Sequence, residues 1–432
     1  MKKTLSLLLI LLSINSFSQE KKVNPILDKI SYDIYGFMRC EGYYDSYKGV
    51  NSSMDNYYLF PLYDGFDATG KQINQQGDVN STAMATRIGL VMKGPEVLNA
   101  KTSATIETDF SGISSDYAGE LRLRKAFIKL DWKNSSLLFG QDWHPFYNGN
   151  SKFYPKVGGL NTGSPFNPFN RSPQIDFNYR YKKLSASATA LYENQYCSKG
   201  FYSDSDYSDN MAKRNALIPE IVLGLNYNSE KITAGIAGQF NAIKPINITD
   251  KDYPTDQLNI SFASMAFLGY NSGKLYILAK GIIGQNMENM TIIGGYGVKD
   301  YNEVTGEMTY TNYTSYSTFF NIVYGEKIQY GLFAGISGNM GTSDALYNFE
   351  NTTTTLTLTD NACTLGLMPS MKNVYRISPH ITYKNKNINF IAEYEMTAAN
   401  YGIGTFDFED GLYDSTVKAI NHRLMLTVMF LF

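Results

Sequence analysis

Residues Asn421 to Phe432 read NHRLMLTVMFLF, and the alternation in this stretch decides the fold. Leu424, Leu426, Val428, Phe430 and Phe432 fall on one face of an extended strand, and Arg423 and Thr427 on the other, because successive side chains of a strand point to opposite sides. An apolar strand of this kind with a free edge would pair with other chains in water. It is stable where one face meets lipid, the other meets water, and a neighbouring strand takes up its backbone donors and acceptors.

The same period of two recurs back to Ile34. Sixteen segments carry it: 34–44, 84–93, 102–110, 121–132, 136–144, 174–181, 184–195, 220–228, 231–243, 257–270, 274–285, 314–324, 327–340, 374–384, 387–401 and 420–432. Ile175, Phe177, Tyr179 and Tyr181 alternate with Gln174, Asp176, Asn178 and Arg180. Ile221, Leu223, Leu225 and Tyr227 alternate with Val222, Gly224, Asn226 and Asn228. The connections are alternately short and long. KGPEVLNA, DWKNS, YKKL, NSEK, NSGK, GEK and KNKN are tight turns, and between them lie long segments such as 45–83, 145–173, 196–219, 287–313 and 341–373. An even number of strands with short turns on one rim and long loops on the other predicts an all-β transmembrane antiparallel β-barrel of about 16 strands, with short periplasmic turns and long extracellular loops. The first and last strands then pair to close it, and the terminal Phe432 resembles the signal by which outer-membrane proteins present themselves to the barrel assembly machinery.

The beginning of the chain fits export. Lys2 and Lys3 precede the apolar run Leu5 to Leu12, and Ser16 and Ser18 supply the small residues before a cut, which predicts a signal peptide over 1–18 cleaved between Ser18 and Gln19. A short periplasmic segment, 19–33, leads into the barrel, 34–432. No later window approaches the ~18 consecutive apolar residues of a membrane-spanning helix. With 34 Tyr, 25 Phe and 36 Gly against 18% charged residues and a net charge of -2, the composition suits strands and aromatic girdles and excludes nucleic acid as a partner. The expected location is the outer membrane of a Gram-negative cell, in contact with its lipid and lipopolysaccharide.

Chemistry-bearing clusters are few. His144, His380 and His422 have no ligand spacing, and there is no nucleophile elbow, phosphate loop or carboxylate pair, so no catalytic residue and no cofactor is expected. Asp204, Asp206 and Asp209 in SDSDYSD are a weak cation-binding candidate that lacks the glycine and the terminal glutamate of a calcium loop. Cys40, Cys197 and Cys363 are odd in number and scattered, with a Cys197 to Cys363 bridge left open.

The lumen carries more information. Alternation places Arg39, Arg87, Arg122, Arg124, Arg180, Arg376 and Arg423 on inward faces beside the closure seam, with Glu41, Glu107, Asp109, Glu193, Glu393 and Glu395 as facing or interleaved acids. Such a stripe either guides small anions or pairs with its acids to stiffen the wall. In LRLRKAFIKL the alternation slips after Lys125, which predicts a bulge. The long loop from Pro145 to Pro173, rich in Phe, Gly and Pro and carrying Lys152, Lys156 and Arg171, is expected to fold inward and constrict the pore.

ATRIGLVMKG, IETDFSG, LRLRKAFIKL, LLFGQDWHPF and RSPQIDFNYR, in this order, resemble the DcaP-like porins of Gram-negative outer membranes. The resemblance covers the second to the sixth strand. It implies a sixteen-stranded barrel, a homotrimer and a preference for small anions, including dicarboxylates, with Arg87, Glu107, Asp109, Arg122 and Arg124 lining the lumen. Those members that carry a coiled-coil segment before the barrel have it where this chain has only EKKVNPILDKI. The expected function is passive diffusion of small hydrophilic solutes. The alternatives are a phosphate-selective porin, a surface adhesin or an outer-membrane enzyme.

Overall fold

The computed structural model describes residues 30–52, 57–112, 119–159, 163–201 and 210–432. The expected signal peptide and the Asp204, Asp206 and Asp209 cluster lie outside the described residues. Sixteen antiparallel strands close into a barrel. In chain order they are β1 (Ser31–Asp45), β2 (Arg87–Lys93), β3 (Lys101–Asp109), β4 (Arg122–Asp131), β5 (Ser135–Trp143), β6 (Arg171–Tyr181), β7 (Leu184–Leu191) and β8 (Glu220–Asn228). The other half comprises β9 (Ile232–Ile243), β10 (Asn259–Asn271), β11 (Leu275–Gln285), β12 (Met308–Gly325), β13 (Ile328–Thr342), β14 (Met371–Asn385), β15 (Ile388–Asp407) and β16 (Leu412–Leu431).

Closure runs through β1. Phe37 to Asp45 pair with Leu431 back to Arg423 of β16, while Ser31 to Phe37 pair with Lys93 back to Arg87 of β2. Above that level the short strand Asp78–Thr82 of the first long loop takes over the free edge of β1, from Glu41 opposite Thr82 to Asp45 opposite Asp78. Residues 423–430 of the terminal strand are therefore paired on both edges, by β1 and β15. Its two faces separate as the alternation requires: Leu426 is 68% exposed on the outside and Thr427 2% on the inside. Across the barrel the large exposed side chains, such as Ile175, Phe177, Leu223, Leu225, Ile381 and Leu424, are outward positions, and the inward positions are mainly polar.

The short-turn rim is built from tight reversals. In the turn after β2, Val97 and Ala100 exchange both backbone hydrogen bonds, at 3.0 and 2.9 Å, with Leu98 and Asn99 both left-handed at φ 54° and 59°. That pair of positive φ values matches the twist of the flanking chain, and the Trp132 indole donates to the Leu98 carbonyl at 2.9 Å.

Two boundaries differ from the sequence reading. The last two strands continue beyond the membrane to meet at 407–412, where the sequence reading has a long connection. An Asp-Gly pair makes the reversal, with Gly411 at φ 70° and its N–H donating to Asp407 O at 2.8 Å. The loops after β11 and β13 also carry strands, Gly294–Tyr301 and Thr364–Leu367, which pair with each other. There Tyr301, Tyr347 and Phe349 pack with ring centroids 4.7 to 5.7 Å apart, Tyr347 edge to face with Phe349, a small apolar cluster above the barrel. Burial among these residues pushes the Cys363 thiol up to about 12, and Cys40 and Cys363 are free thiols, so no Cys197 to Cys363 bridge is formed.

Candidate functional site

The inner surface is organised by two insertions from the long-loop rim. The larger is the loop between β5 and β6. It begins with a one-turn helix, Pro145–Asn148, in which proline takes the first position, His144 caps by accepting the Phe146 N–H at 3.1 Å, and Gly149 ends the turn in the left-handed region. The other ring nitrogen of His144 lies 2.5 Å from Glu220 Oε1, and both side chains are wholly buried. Glu220 also accepts from Gln239 and Asn289, so this histidine is a structural anchor for the loop.

From there the loop crosses to the far wall and is bonded along it. Lys280 of β11, 3% exposed, donates to Phe146 O, Tyr147 O and Asn167 Oδ1 at 2.6 to 2.8 Å. The Tyr276 hydroxyl donates to Tyr154 O at 2.6 Å. Asn321 accepts from Lys156 N and donates to Lys156 O, at 2.7 and 3.0 Å. Glu393 accepts from Gly158 N and Gly159 N, and Arg39 donates to Gly158 O. On the returning arm Arg376 donates to Ser164 O and Ser317 to Phe166 O. Glycines in the wall make room for the loop's rings. A side-chain carbon on Gly335 would lie 2.6 Å from the Phe166 ring, and one on Gly269 would collide with Phe153.

The second insertion, which the sequence reading leaves as an outer loop, is the hairpin Gly49–Ser52 and Tyr57–Pro61. Tyr57 accepts from Arg122 at 2.5 Å. Arg376 and Arg423 lie over the Tyr58 ring, and Tyr401 donates to Pro61 O. Its signal in the sequence is the run YYLFP, too apolar for a solvated loop.

Between these insertions stands the arginine stripe. The bulge predicted in LRLRKAFIKL is present, between Thr108 opposite Leu123 and Glu107 opposite Lys125, so that Arg124 and Lys125 both turn inward. Arg124 donates to Glu107 and to Asp109, each at 2.7 Å. Arg122 grips Asp109 through two nitrogens at 3.0 and 2.8 Å, and Arg87 approaches Glu107 at 3.7 Å. Arg39 bonds Glu41 at 2.8 Å, Arg376 lies 3.2 Å from Glu395, and Arg423 is held by both oxygens of Asp45 at 2.8 and 2.7 Å. Arg180 sits at the short-turn rim on Asp131 at 2.6 Å. The acids therefore sit beside the arginines on the same wall, and each of these cations has a carboxylate within ion-pair reach. Asp45 completes the set that sequence reading missed, since it lies in β1, 378 residues from its partner.

Of the three cations expected on the constricting loop, Lys152 is exposed and Lys156 is half-buried. Arg171 is corrected: it is the first residue of β6, 1% exposed, bonded through Nε to Gln195 and stacked on Trp143 and Phe169, with Nη1 and Nη2 unbonded. The strand ladder begins three residues before the 174–181 segment read from the sequence, because Trp143 pairs with Arg171. Among the described residues no group of histidine, cysteine and acids could hold a metal ion.

No family model and no curated protein matches the sequence. Solved structures do match the fold. The outer membrane channel DcaP of Acinetobacter baumannii superposes with a TM-score of 0.65 at 17% identity, over 94% of this chain and 98% of that one. An anion-selective porin from Comamonas acidovorans gives 0.52 at 10% identity over 93% and 100%. OmpT of the Vibrio cholerae outer membrane gives 0.51 at 11% identity over 94% and 98%.

Proposed function

With the fold of an outer-membrane channel as premise, we propose that this protein is a porin of the Gram-negative outer membrane through which small hydrophilic solutes diffuse passively. One observation carries the reading: a closed barrel with an apolar outside and a polar inside has a loop bonded along its inner wall by Lys280, Asn321, Glu393 and Arg39. A barrel of this strand number encloses an aqueous channel, and a loop held against its wall narrows that channel to the scale of a small solute. The buried His144–Glu220 pair, the chain's tightest histidine contact with an acid, is out of reach of any substrate. In planar lipid bilayers the purified protein is expected to produce discrete ohmic conductance steps, and a reversal potential under a potassium chloride gradient that marks a preference for chloride. A protein that folds and inserts without such steps would reject the channel.

The assembly we propose is a homotrimer, in keeping with the trimer form described for Vibrio cholerae OmpT. Leu184, Ala186, Ala188 and Ala190 point outward on β7, and small side chains let two walls approach closely. Native mass measurement in detergent checks this: three times the monomer mass is expected, and a stable monomer would rule it out.

A further inference from the structure

We propose that the lysine pair Lys156 and Lys384, and not the arginine stripe, is the element that selects small anions, at the short-turn mouth of the pore. The inference rests on the porin reading above. The six arginines of the stripe on β1, β2, β4, β14 and β16 each have a carboxylate within 4 Å and share five carboxylates between them, so at a distance all but one of these charges cancel. Lys156 and Lys384 have no such partner among the described residues.

Their placement suits the task. Lys156 lies on the inner loop at the level of Tyr276, the second residue of β11, close to the short turn that precedes that strand. Its ammonium stands 3.9 Å over the Tyr276 ring, on the inner wall. Lys384 shares the inward face of β14 with Arg376, Ser378, His380 and Thr382 and is exposed one residue before the end of that strand. Asn321 fixes the Lys156 backbone through both its N–H and its carbonyl, and β14 fixes Lys384. The result is two uncompensated positive charges at the short-turn mouth, each of which takes a carboxylate or phosphate oxygen as its counter-charge and repels cations. Its reach is about 8 Å at physiological salt, enough to span a narrowed pore and too short to act across an open barrel.

The test is the reversal potential of Lys156→Gln with Lys384→Gln in planar bilayers under a potassium chloride gradient, beside Lys156→Arg with Lys384→Arg. The Asn321 clasp is to the backbone, so neither pair removes what holds the loop. The glutamine pair is expected to lower the chloride to potassium permeability ratio by about threefold or more, from the Coulomb interaction of two unit charges a few ångströms from the ion path. The arginine pair should keep the wild-type ratio. If the double variant does not insert, each single glutamine variant carries the test with a smaller shift of the same sign. A wild-type ratio in glutamine variants that conduct normally overturns the inference and leaves the porin reading standing. Absence of conductance in the wild-type protein defeats that reading itself.

Discussion

Removing residues 149–168 is expected to raise single-channel conductance by at least about twofold, because the channel of a sixteen-stranded barrel is wide unless something fills it. The cut can be rejoined with little strain. The His144 N–H donates to Asn170 O at 3.0 Å, and Tyr147 and Phe169 both pack on the Trp143 ring, at 3.9 and 5.1 Å between centroids, so the two ends of the loop start side by side. Glu393 and Arg39 would lose their contacts to Gly158 and Gly159 but gain water, and Arg39 keeps Glu41. The variant should therefore still assemble, which heat-modifiable migration on a gel would show. A milder version is Lys280→Met. It leaves the loop in place but strips the three acceptors at Phe146, Tyr147 and Asn167 of their common donor, so its expected signature is increased current noise with a small rise in mean conductance. Unchanged current in both folded variants would mean that the loop does not limit flow.

The second large effect concerns stability. Arg124→Met is expected to cost about 3 kcal/mol or more, because it leaves Glu107 and Asp109 buried with one ion-pairing guanidinium fewer. Arg171→Met, a change of the same size and equally buried, is expected to cost about 1 kcal/mol or less, because the terminal nitrogens of Arg171 bond nothing and a buried ion without a partner gains little from its charge. It loses one hydrogen bond to Gln195 and the stacking on Trp143. Urea unfolding in detergent micelles compares the two directly. Equal losses would show that packing, and not charge pairing, sets the worth of these arginines.

Those two arginines also mark how far local reading reaches. That Arg124 points inward follows from alternation and from the slip in LRLRKAFIKL. That Arg171 is buried without an acid does not, because its environment is made by Trp143, Phe169 and Gln195 from three different stretches. The same holds for the inner loop. Its Phe, Gly and Pro content points to order, but Lys280 and Glu393, which hold it, look like any other strand residues. The reversal at Asp410-Gly411 was different: its dipeptide was in plain view, and the hairpin was missed because the strands there outrun the membrane and lose their apolar face.

Taken by itself, the sequence determined the strand number, the two rims, which side chains meet lipid and which meet the lumen, and the closing role of Asn421–Phe432. All of these depend on the period of two and on the lengths of connections, which the pleat of an extended chain sets locally. Tertiary structure alone decided which carboxylate neutralises which arginine, where the inner loop is fastened, and that Lys156 and Lys384 are left without a carboxylate partner among the described residues. Those outcomes depend on register between strands, in one pair 378 residues apart, and on the path of a loop through the barrel. Arg423 meets Asp45 only because β16 closes on β1 in one register, and a slip of β16 by one residue would turn Arg423 out of the lumen and away from Asp45.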